Sequence, residues 1–455
     1  MPPDDETRDD SPRMPEPQLS PRPGLVIVLA AGSPAALSFE VGPSGIVIGR
    51  SSPSRALEED DRVSRQHVRV TREDAGRWKV EDLASRNGTF VCGRRLESSD
   101  VFSSPVLVRI GRSLLWAVDD VRPFEDGGPV VESGPVIGGA LRRAFGEIAL
   151  ASQAGDTVCI RGESGAGKEL AARAFHEARV GAASNAPFVA VNCAAIPEGL
   201  AERLLFGARK GAYSGAVADA DGYVQAADGG TLFLDEVAEL DALVQAKLLR
   251  VLENREVLQL GASRPKKVTL SVCVASHKSL RDEVSAGRFR EDLYYRVGRP
   301  EIRVPALRDR LDEIPRFIER ELHQVDARLS ASVGFVEACA LRAWPGNVRE
   351  LLGEVRSAAH RAAHAQVLVV EPEHLAGDAG THLSQPPRAS EPAEGDPPLA
   401  GHKDTRRNPK ASTPPPSDDD IRRTLADHAG NVRATARALG MHRNQLRRWV
   451  DKQGR

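Results

Sequence analysis

Aromatic side chains are scarce: phenylalanine, tyrosine and tryptophan together make up 4% of the 455 residues. Any core must therefore be built from Ala, Leu and Val. Cysteine is equally sparse. Cys92, Cys159, Cys193, Cys273 and Cys339 are odd in number, widely spaced and never in a CxxC pair. That excludes a disulfide framework or a zinc site of the usual spacing and points to a reducing compartment. The net charge of −2 leaves no global field to select a partner, so any nucleic-acid contact has to be local. No apolar run approaches the ~18 residues of a membrane span. The first residues, MPPDDETRDDSPR, are acidic and proline-rich, the opposite of a secretory signal. The expectation is a cytoplasmic protein without membrane contact.

Composition changes along the chain mark several units. Residues 1–22 are polar and proline-rich and read as a disordered tail. Residues 23–120 contain short β-type runs (LVIVL, IVIGR, HVRVT, WKVEDL, GTFVCG, VLVRIG, LLWAVDD) separated by turn residues, the pattern of an all-β sandwich. After a linker, 121–133, apolar strands alternate with helical stretches over 134–376. DTVCIRG, PFVAVNC, TLFLDE and VTLSVCVAS read as buried parallel strands of an α/β domain. ELDALVQAKLLRVLEN places Leu240, Val244, Leu248, Val251 and Leu252 on one helix face. Residues 377–416 hold nine prolines and no aromatic residue and read as a disordered linker. The last stretch, 417–455, is helical in pattern, with nine Lys/Arg against five Asp.

Two motifs in the α/β segment carry nucleotide chemistry. GESGAGKE, from Gly162 through Glu163, Ser164, Gly165, Ala166, Gly167 and Lys168 to Glu169, lies between a strand and a helix, as a P-loop requires. The glycines let backbone N–H groups turn toward phosphate, the helix N-terminus adds positive potential, and Lys168 reaches the β- and γ-phosphates. Glu169 stands where the general pattern has Ser or Thr for magnesium. GGTLFLDE is an apolar strand ending in two carboxylates: Asp235 suits Mg²⁺ and Glu236 suits polarising the attacking water. Together they predict ATP hydrolysis. Such chemistry is mostly positioning and charge neutralisation, so further positive charge is needed at the γ-phosphate. FREDLYYR offers Arg290 and Arg296.

GESGAGKE, NCAAIPEGL, GAYSGA, GGTLFLDEV, FREDLYYR and WPGNVREL occur in one order across 134–376. This segment closely resembles the AAA+ domain of bacterial enhancer-binding proteins, the activators of sigma-54 RNA polymerase. The resemblance implies a ring, commonly hexameric, with ATP at subunit boundaries. It makes Arg290 and Arg296 arginine fingers on a neighbour's ATP and Arg349 the sensor II residue. It makes Asn192 the residue that holds Glu236 in an inactive orientation, and Ser276 and His277 a γ-phosphate sensor. It also implies that Gly211, Ala212, Tyr213, Ser214, Gly215 and Ala216 tip a hairpin that engages sigma-54. The family's usual loop has Phe and Thr where Tyr213 and Ser214 stand. Upstream, Leu204, Ala208 and Arg209 replace the family's Glu, His and Glu.

In the β-segment, GR at 49–50, SRQH at 64–67 and SRNGT at 85–89 resemble the signature of a forkhead-associated (FHA) domain. Arg50 and Arg65 suit charge-assisted bonds to a phosphate carrying nearly two charges, and Ser64 adds a hydroxyl. The resemblance makes Asn87 a clamp on the peptide backbone, while His67 reads as structural. The implied partner is a phosphothreonine peptide, or the Ser/Thr kinase that makes it, with the phosphopeptide in a partner or in this chain's own tails at Thr7 or Thr413.

HAGNVRATARALGMHRNQLRRWV, 428–450, reads as helix, glycine turn, helix, with Asn431 as an N-cap. It resembles the helix-turn-helix of the factor-for-inversion-stimulation type. His442 would open the helix that enters the major groove, Arg443, Asn444 and Gln445 would meet base edges, and Arg447 and Arg448 would meet phosphates. A competing reading is a DNA-binding phospho-reader that acts as scaffold or repressor, with a weakly coupled ATPase.

Overall fold

The structure is a computed structural model. It describes residues 20–51, 55–74, 76–125, 134–182, 184–197, 199–381 and 418–428, with Thr435, Leu439 and Leu446 beyond them. It divides into two compact units, 1–384 and 385–455.

The first unit opens with ten strands: β1 (Gly24–Ala30), β2 (Ser33–Glu40), β3 (Ile46–Ile48), β4 (Val68–Asp74), β5 (Arg77–Asp82), β6 (Thr89–Val91), β7 (Arg94–Arg95), β8 (Ser99–Ser103), β9 (Val106–Ile110) and β10 (Ser113–Val118). They form two antiparallel sheets, ordered β2-β1-β10-β9-β6-β7 and β3-β4-β5-β8. Leu25, Ile27, Val108, Ile110, Leu115 and Ala117 meet Val68, Val70, Trp78 and Val80 in the sandwich core. The expected sandwich is therefore present. β2 and β8 went unread in the sequence because β2 has no buried residue and β8 only a half-buried Phe102.

The α/β part has a five-stranded parallel sheet in the order β12-β13-β16-β11-β17. Its strands are β11 (Thr157–Arg161), β12 (Phe188–Asn192), β13 (Thr231–Asp235), β16 (Ser271–Ser276) and β17 (Glu301–Arg303). A small hairpin, β14 (Glu256–Val257) and β15 (Lys266–Lys267), stands apart. Around the sheet run α1 (Gly139–Ala154), α2 (Lys168–Val180), α3 (Ala201–Phe206), α4 (Tyr223–Ala226), α5 (Ala242–Asn254), α6 (Leu280–Ser285) and α7 (Glu291–Val297). α5 bears out the helical reading: Asp241 caps it by accepting from the Val244 N–H at 2.9 Å, and Val244, Leu248, Val251 and Leu252 are buried. A helical lid follows, built from α8 (Ile314–Val325), α9 (Val333–Ala340) and α10 (Asn347–His364), with the short parallel pair β18 (Ser330–Ala331) and β19 (Val369–Val370).

The lid and the sandwich share one core. Val26, Val28, Leu107, Leu114, Trp116 and Val118 point away from the sandwich interior and pack with Leu311, Ile314, Phe317, Ile318, Leu322 and Val336. The sheet that contains β1 and β10 is thus covered on both faces, and every residue of these two strands is buried. Arg109 on β9 crosses the seam: its Nε donates to Glu337 Oε2 on α9 at 2.6 Å, and its guanidinium lies 3.8 Å from the Phe90 ring centroid.

Three expected boundaries shift. Arg22 belongs to the folded part: its carbonyl accepts from the Val121 N–H, and its side chain pairs with Glu125 and Glu40. Val121 and Phe124 are buried in the shared core, so the first residues of the expected linker are packed. The lid continues to residue 381, because Trp344 donates to the Gly380 carbonyl and Gly380 donates to Glu350. In the second unit, α11 (Asp418–Asp427) buries Ile421, and Thr435 and Leu446 are also buried. The candidate cap Asn431 and the candidate DNA-reading residues His442, Arg443, Asn444, Gln445, Arg447 and Arg448 lie outside the described residues.

Candidate functional site

β11 runs into the loop Gly162–Gly167 and α2 begins at Lys168, so the exposed N–H groups of the helix start face the loop interior. Gly165 has φ +72°, and a Cβ there would lie 2.2 Å from the Gly346 carbonyl oxygen, so only glycine lets the lid come this close. Lys168 is buried. Its Nζ donates to the Gly162 carbonyl at 3.2 Å and to Glu236 Oε1 at 2.9 Å, and lies 3.9 Å from Asp235 Oδ1. Asp235 and Glu236 reach it because β13 ends there, beside β16, whose last carbonyl, that of Ser276, accepts from the Gly162 N–H.

The two carboxylates differ electrostatically. Burial pushes Asp235 above the ordinary carboxylate range against the pull of Lys168. Burial would do the same to Glu236, but the Lys168 ammonium and His277 outweigh it and hold Glu236 below its ordinary value. His277 Nδ1 lies 2.6 Å from Glu236 Oε2. Glu236 is therefore the carboxylate held ready in its charged form.

These groups line a cavity of about 460 Å³, a size suited to a nucleotide. Its apolar wall comes from Pro135, Val136, Phe317 and Leu352, and its polar wall from Lys168 and Glu236. Arg349 is at the cavity, with Nη1 3.4 Å from Ser164 Oγ. Residues that the sequence reading missed bind the loop to the lid. Arg308 grips Glu163 with two bonds of 2.6 and 2.9 Å and holds its carboxyl below the usual range. Asn347 donates to Glu163 and to the Ser164 carbonyl, and buried Arg310 donates to the Ala166 carbonyl at 2.9 Å. In sequence these residues lie about 140–185 positions from the loop, and only the charged run ALRDRLDEIP hinted at them.

Three expectations are corrected. Asn192 lines the cavity but makes no hydrogen bond to Glu236; its Oδ1 accepts from the Ala194 N–H, as a local cap. Lys168 and His277 hold Glu236 instead. Ser276 is fully buried, and its Oγ accepts from the Lys278 N–H, so its side chain is committed internally. Glu163 is turned to the lid rather than to the phosphate cradle. Glu169 is not among these: it lines the cavity, and its exposed carboxylate pairs with Arg173 one turn along α2.

Arg290 and Arg296 stand at the two ends of α7, outside this cavity. Arg290 pairs with Asp292 at 2.7 Å, and Arg296 donates to the Leu252 carbonyl at 3.2 Å. The loop Gly211–Ala216 is a closed turn: Gly211 donates to the Ala216 carbonyl and Ala216 to that of Tyr213. Gly211 and Gly215 have φ of +82° and +100° with open space around them, so backbone conformation alone requires glycine. Tyr213 is exposed, and its hydroxyl accepts from Arg203 at 2.9 Å. Arg209 and Asp219 pair across the loop base.

At one end of the sandwich the loops after β3, before β4 and between β5 and β6 interlock. Arg50 N donates to the Ser64 carbonyl, Ser51 N to that of Arg65, and Arg86 N to Ser64 Oγ. Asn87 Nδ2 donates to the Arg62 carbonyl at 2.7 Å, so its amide braces the loop as well as facing outward. His67 is structural as expected: it is fully buried, Nδ1 accepts from the Ser64 N–H at 3.0 Å, and Nε2 lies 3.2 Å from the Gly88 carbonyl. Burial lowers its pKa, and these partners assign the proton to Nε2. Arg50, Arg65 and Asn87 are exposed around the half-buried Ser64, which can take a phosphate.

Three family models match the chain: an FHA domain over residues 46–114, a sigma-54 interaction domain over 138–303, and the bacterial regulatory protein, Fis family, over 420–452. The chain is similar to the Nif-specific regulatory protein of Enterobacter agglomerans, 45% identical over 216 residues, 47% of this chain and 41% of that one. It is similar to the response regulator protein PilR of Pseudomonas aeruginosa, 47% identical over 219 residues, 47% of this chain and 48% of that one. It thus spans under half the length of both relatives. A solved structure of NtrX from Brucella abortus in complex with ATP is 26% identical, with a TM-score of 0.47, over 70% of this chain and 68% of that one. No helix among the described residues is long and apolar enough to cross a membrane.

Proposed function

We propose that this chain, which matches an FHA domain, a sigma-54 interaction domain and a Fis-type segment in one order, is a sigma-54-dependent transcriptional regulator that hydrolyses ATP to remodel sigma-54 RNA polymerase at promoters under control of a phosphothreonine signal. The observation that carries this reading is the convergence of Lys168, Asp235, Glu236 and Arg349 on one cavity in a chain that also displays the loop Gly211–Ala216.

The residues have separable tasks. The N–H groups at the start of α2 bind the phosphates, and Lys168 adds charge at the β- and γ-positions. Asp235 would hold a magnesium ion, which would supply further positive charge against the phosphates. Lys168 gains a second anionic partner when a triphosphate binds, which loosens its grip on Glu236. Glu236, with His277 behind it, then orients the attacking water. Arg349 and Arg310 tie lid position to the state of the loop. Arg290 and Arg296, outside their own cavity, are available to a neighbouring subunit, which supports a homo-oligomeric ring, a hexamer in this reading. The C-terminal unit supplies attachment to upstream DNA.

The test is open-complex formation by sigma-54 holoenzyme with the full chain, ATP and a non-hydrolysable analogue. The full chain is needed because the sandwich covers apolar lid surface. Open complexes with ATP alone support the proposal. Hydrolysis without open complexes moves the scaffold or repressor reading ahead.

A further inference from the structure

Five arginines, Arg50, Arg62, Arg65, Arg86 and Arg95, are carried on the phosphate-facing loops or directly behind them, and all are exposed. Backbone contacts tie them into one group. Ser64 and Arg65 carbonyls bind the loop of Arg50, Arg62 binds Asn87, and the Arg95 Nε lies 2.9 Å from where a Cβ on Gly88 would be. Among the described residues none of the five has a carboxylate within ion-pair distance. The nearby acids are already engaged: fully buried Asp60 accepts from Ser113, from Arg112 and from the backbone N–H of Arg62, and Asp61 pairs with Arg112. The phosphate engages part of this group, and the remaining arginines favour carboxylates flanking it.

We propose that the ligand of this surface is the chain's own N-terminal segment Asp4–Asp10, phosphorylated on Thr7. This rests on the phosphate-reading role of the sandwich and names its ligand. Thr7 lies in DDETRDD, with five acidic residues and one arginine within three positions on either side. The other threonines of the tails do not match. Thr405 is followed by Arg406 and Arg407, and Thr413 by three prolines, with Lys410 before it.

Strand register shows that the segment can reach its own domain. Thr89 pairs with Ile110, Ser113 with Ile110, and Leu114 with Leu29, so the phosphate loops sit at the Ala30 end of β1. The chain enters at Gly24, opposite Val118. The two ends are about 20 Å apart along the strands and ~15 Å across the three strand spacings from β1 to β6. Thr7 lies thirteen positions before Ser20; fully extended, that stretch spans about 43 Å. Attachment in the same chain raises the effective concentration of the segment.

The modification needs a Ser/Thr protein kinase and ATP. The Thr7 hydroxyl oxygen bonds to the γ-phosphorus, the bond to the β,γ-bridging oxygen breaks, ADP leaves, and the hydroxyl proton passes to the kinase's base. The resulting dianion brings this short segment to about −6.

The test titrates the full chain with fluorescent synthetic peptides: residues 1–15 with phosphothreonine at 7, the same peptide unmodified, and phosphothreonine peptides centred on 405 and 413. A phosphothreonine library with random flanks accompanies them. The expected result is at least tenfold tighter binding of the modified 1–15 peptide than of the other three, lost with Arg50→Ala. Arg62→Glu with Arg86→Glu should weaken it several-fold while sparing library members with neutral flanks. Equal or tighter binding of the 405 or 413 peptide overturns the assignment of Thr7 and leaves phosphate reading intact. If no library member binds, the phosphate-reading role fails with it. Full chain made with phosphothreonine encoded at position 7 should bind added modified peptide at least tenfold more weakly, with the same oligomeric state as the unmodified chain. Undiminished binding, or competition only alongside a phosphothreonine-dependent increase in oligomer size, overturns binding within the same chain.

Discussion

If Arg109 and Glu337 hold the sandwich against the lid, replacing either should weaken the whole first unit, and the two effects should not add. Glu337 is nearly buried and Arg109 is one-fifth exposed, with a 2.6 Å contact between them. Removing one member of a buried pair costs 3–5 kcal/mol; the partial exposure of Arg109 and its stacking on Phe90 reduce this to about 2–3 kcal/mol for Glu337→Leu. Arg109→Met should cost a similar amount, because it leaves the Glu337 carboxylate buried alone. The double variant, with an apolar pair in the seam, should cost much less than the sum, giving a coupling of about 1.5–3 kcal/mol. The assay is reversible urea unfolding of the full chain followed by tryptophan fluorescence. Trp116 lies in the seam, Trp78 in the sandwich core and Trp344 in the lid core, so one set of curves samples all three places. A coupling within about 0.5 kcal/mol of zero would refute the docking, because side chains that do not meet act independently.

Other expectations concern single groups. Glu236→Gln should cut ATP turnover by about 10²-fold or more while nucleotide affinity stays or tightens, since Lys168 is freed from an ion pair; equal loss of binding and turnover in steady-state kinetics counts against its role. Tyr213→Phe removes only the hydroxyl that accepts from Arg203 and should leave hydrolysis and open-complex formation within about threefold, whereas Tyr213→Ala should abolish open complexes and spare hydrolysis. Native thiol labelling should mark Cys92 first. Burial pushes Cys159, Cys193 and Cys339 up to about 12 and Cys273 well above its ordinary value, and mass spectrometry of the early adduct reads the order. Burial raises Glu313 to about 7, even though Arg310 lies 3.0 Å away. A raised folded value means its contribution is full below about 4.5 and is lost as pH rises through about 7. Wild type should therefore lose stability relative to Glu313→Gln across that window, and a pH-independent difference in unfolding midpoint would refute the assignment.

Much of the fold was legible because its signals are local. A strand that must be buried shows an apolar run, as in TLFLD and SVCVAS; a loop that must wrap phosphate shows its glycines; and a helix such as α5 shows its cap and its stripe. Lys168, Asp235 and Glu236 could be named in advance because each sits at the end of such an element. The unbroken runs GLVIVLA and SLLWAV also held a signal: with both side-chain faces apolar, they predict a sheet covered twice, but not by what. Only the tertiary structure decided that the second cover is the lid, that Arg109 meets Glu337 across 228 positions, and that Arg308, Arg310 and Asn347 hold the phosphate loop. It also decided that Lys168 and His277, rather than Asn192, hold Glu236. The physical reason is the same in each case. Propensity, periodicity and turn chemistry act within a few residues and are written where they act. Ion pairs and hydrogen bonds between distant segments depend on which surfaces meet once apolar faces are buried, and no short stretch of sequence carries that information.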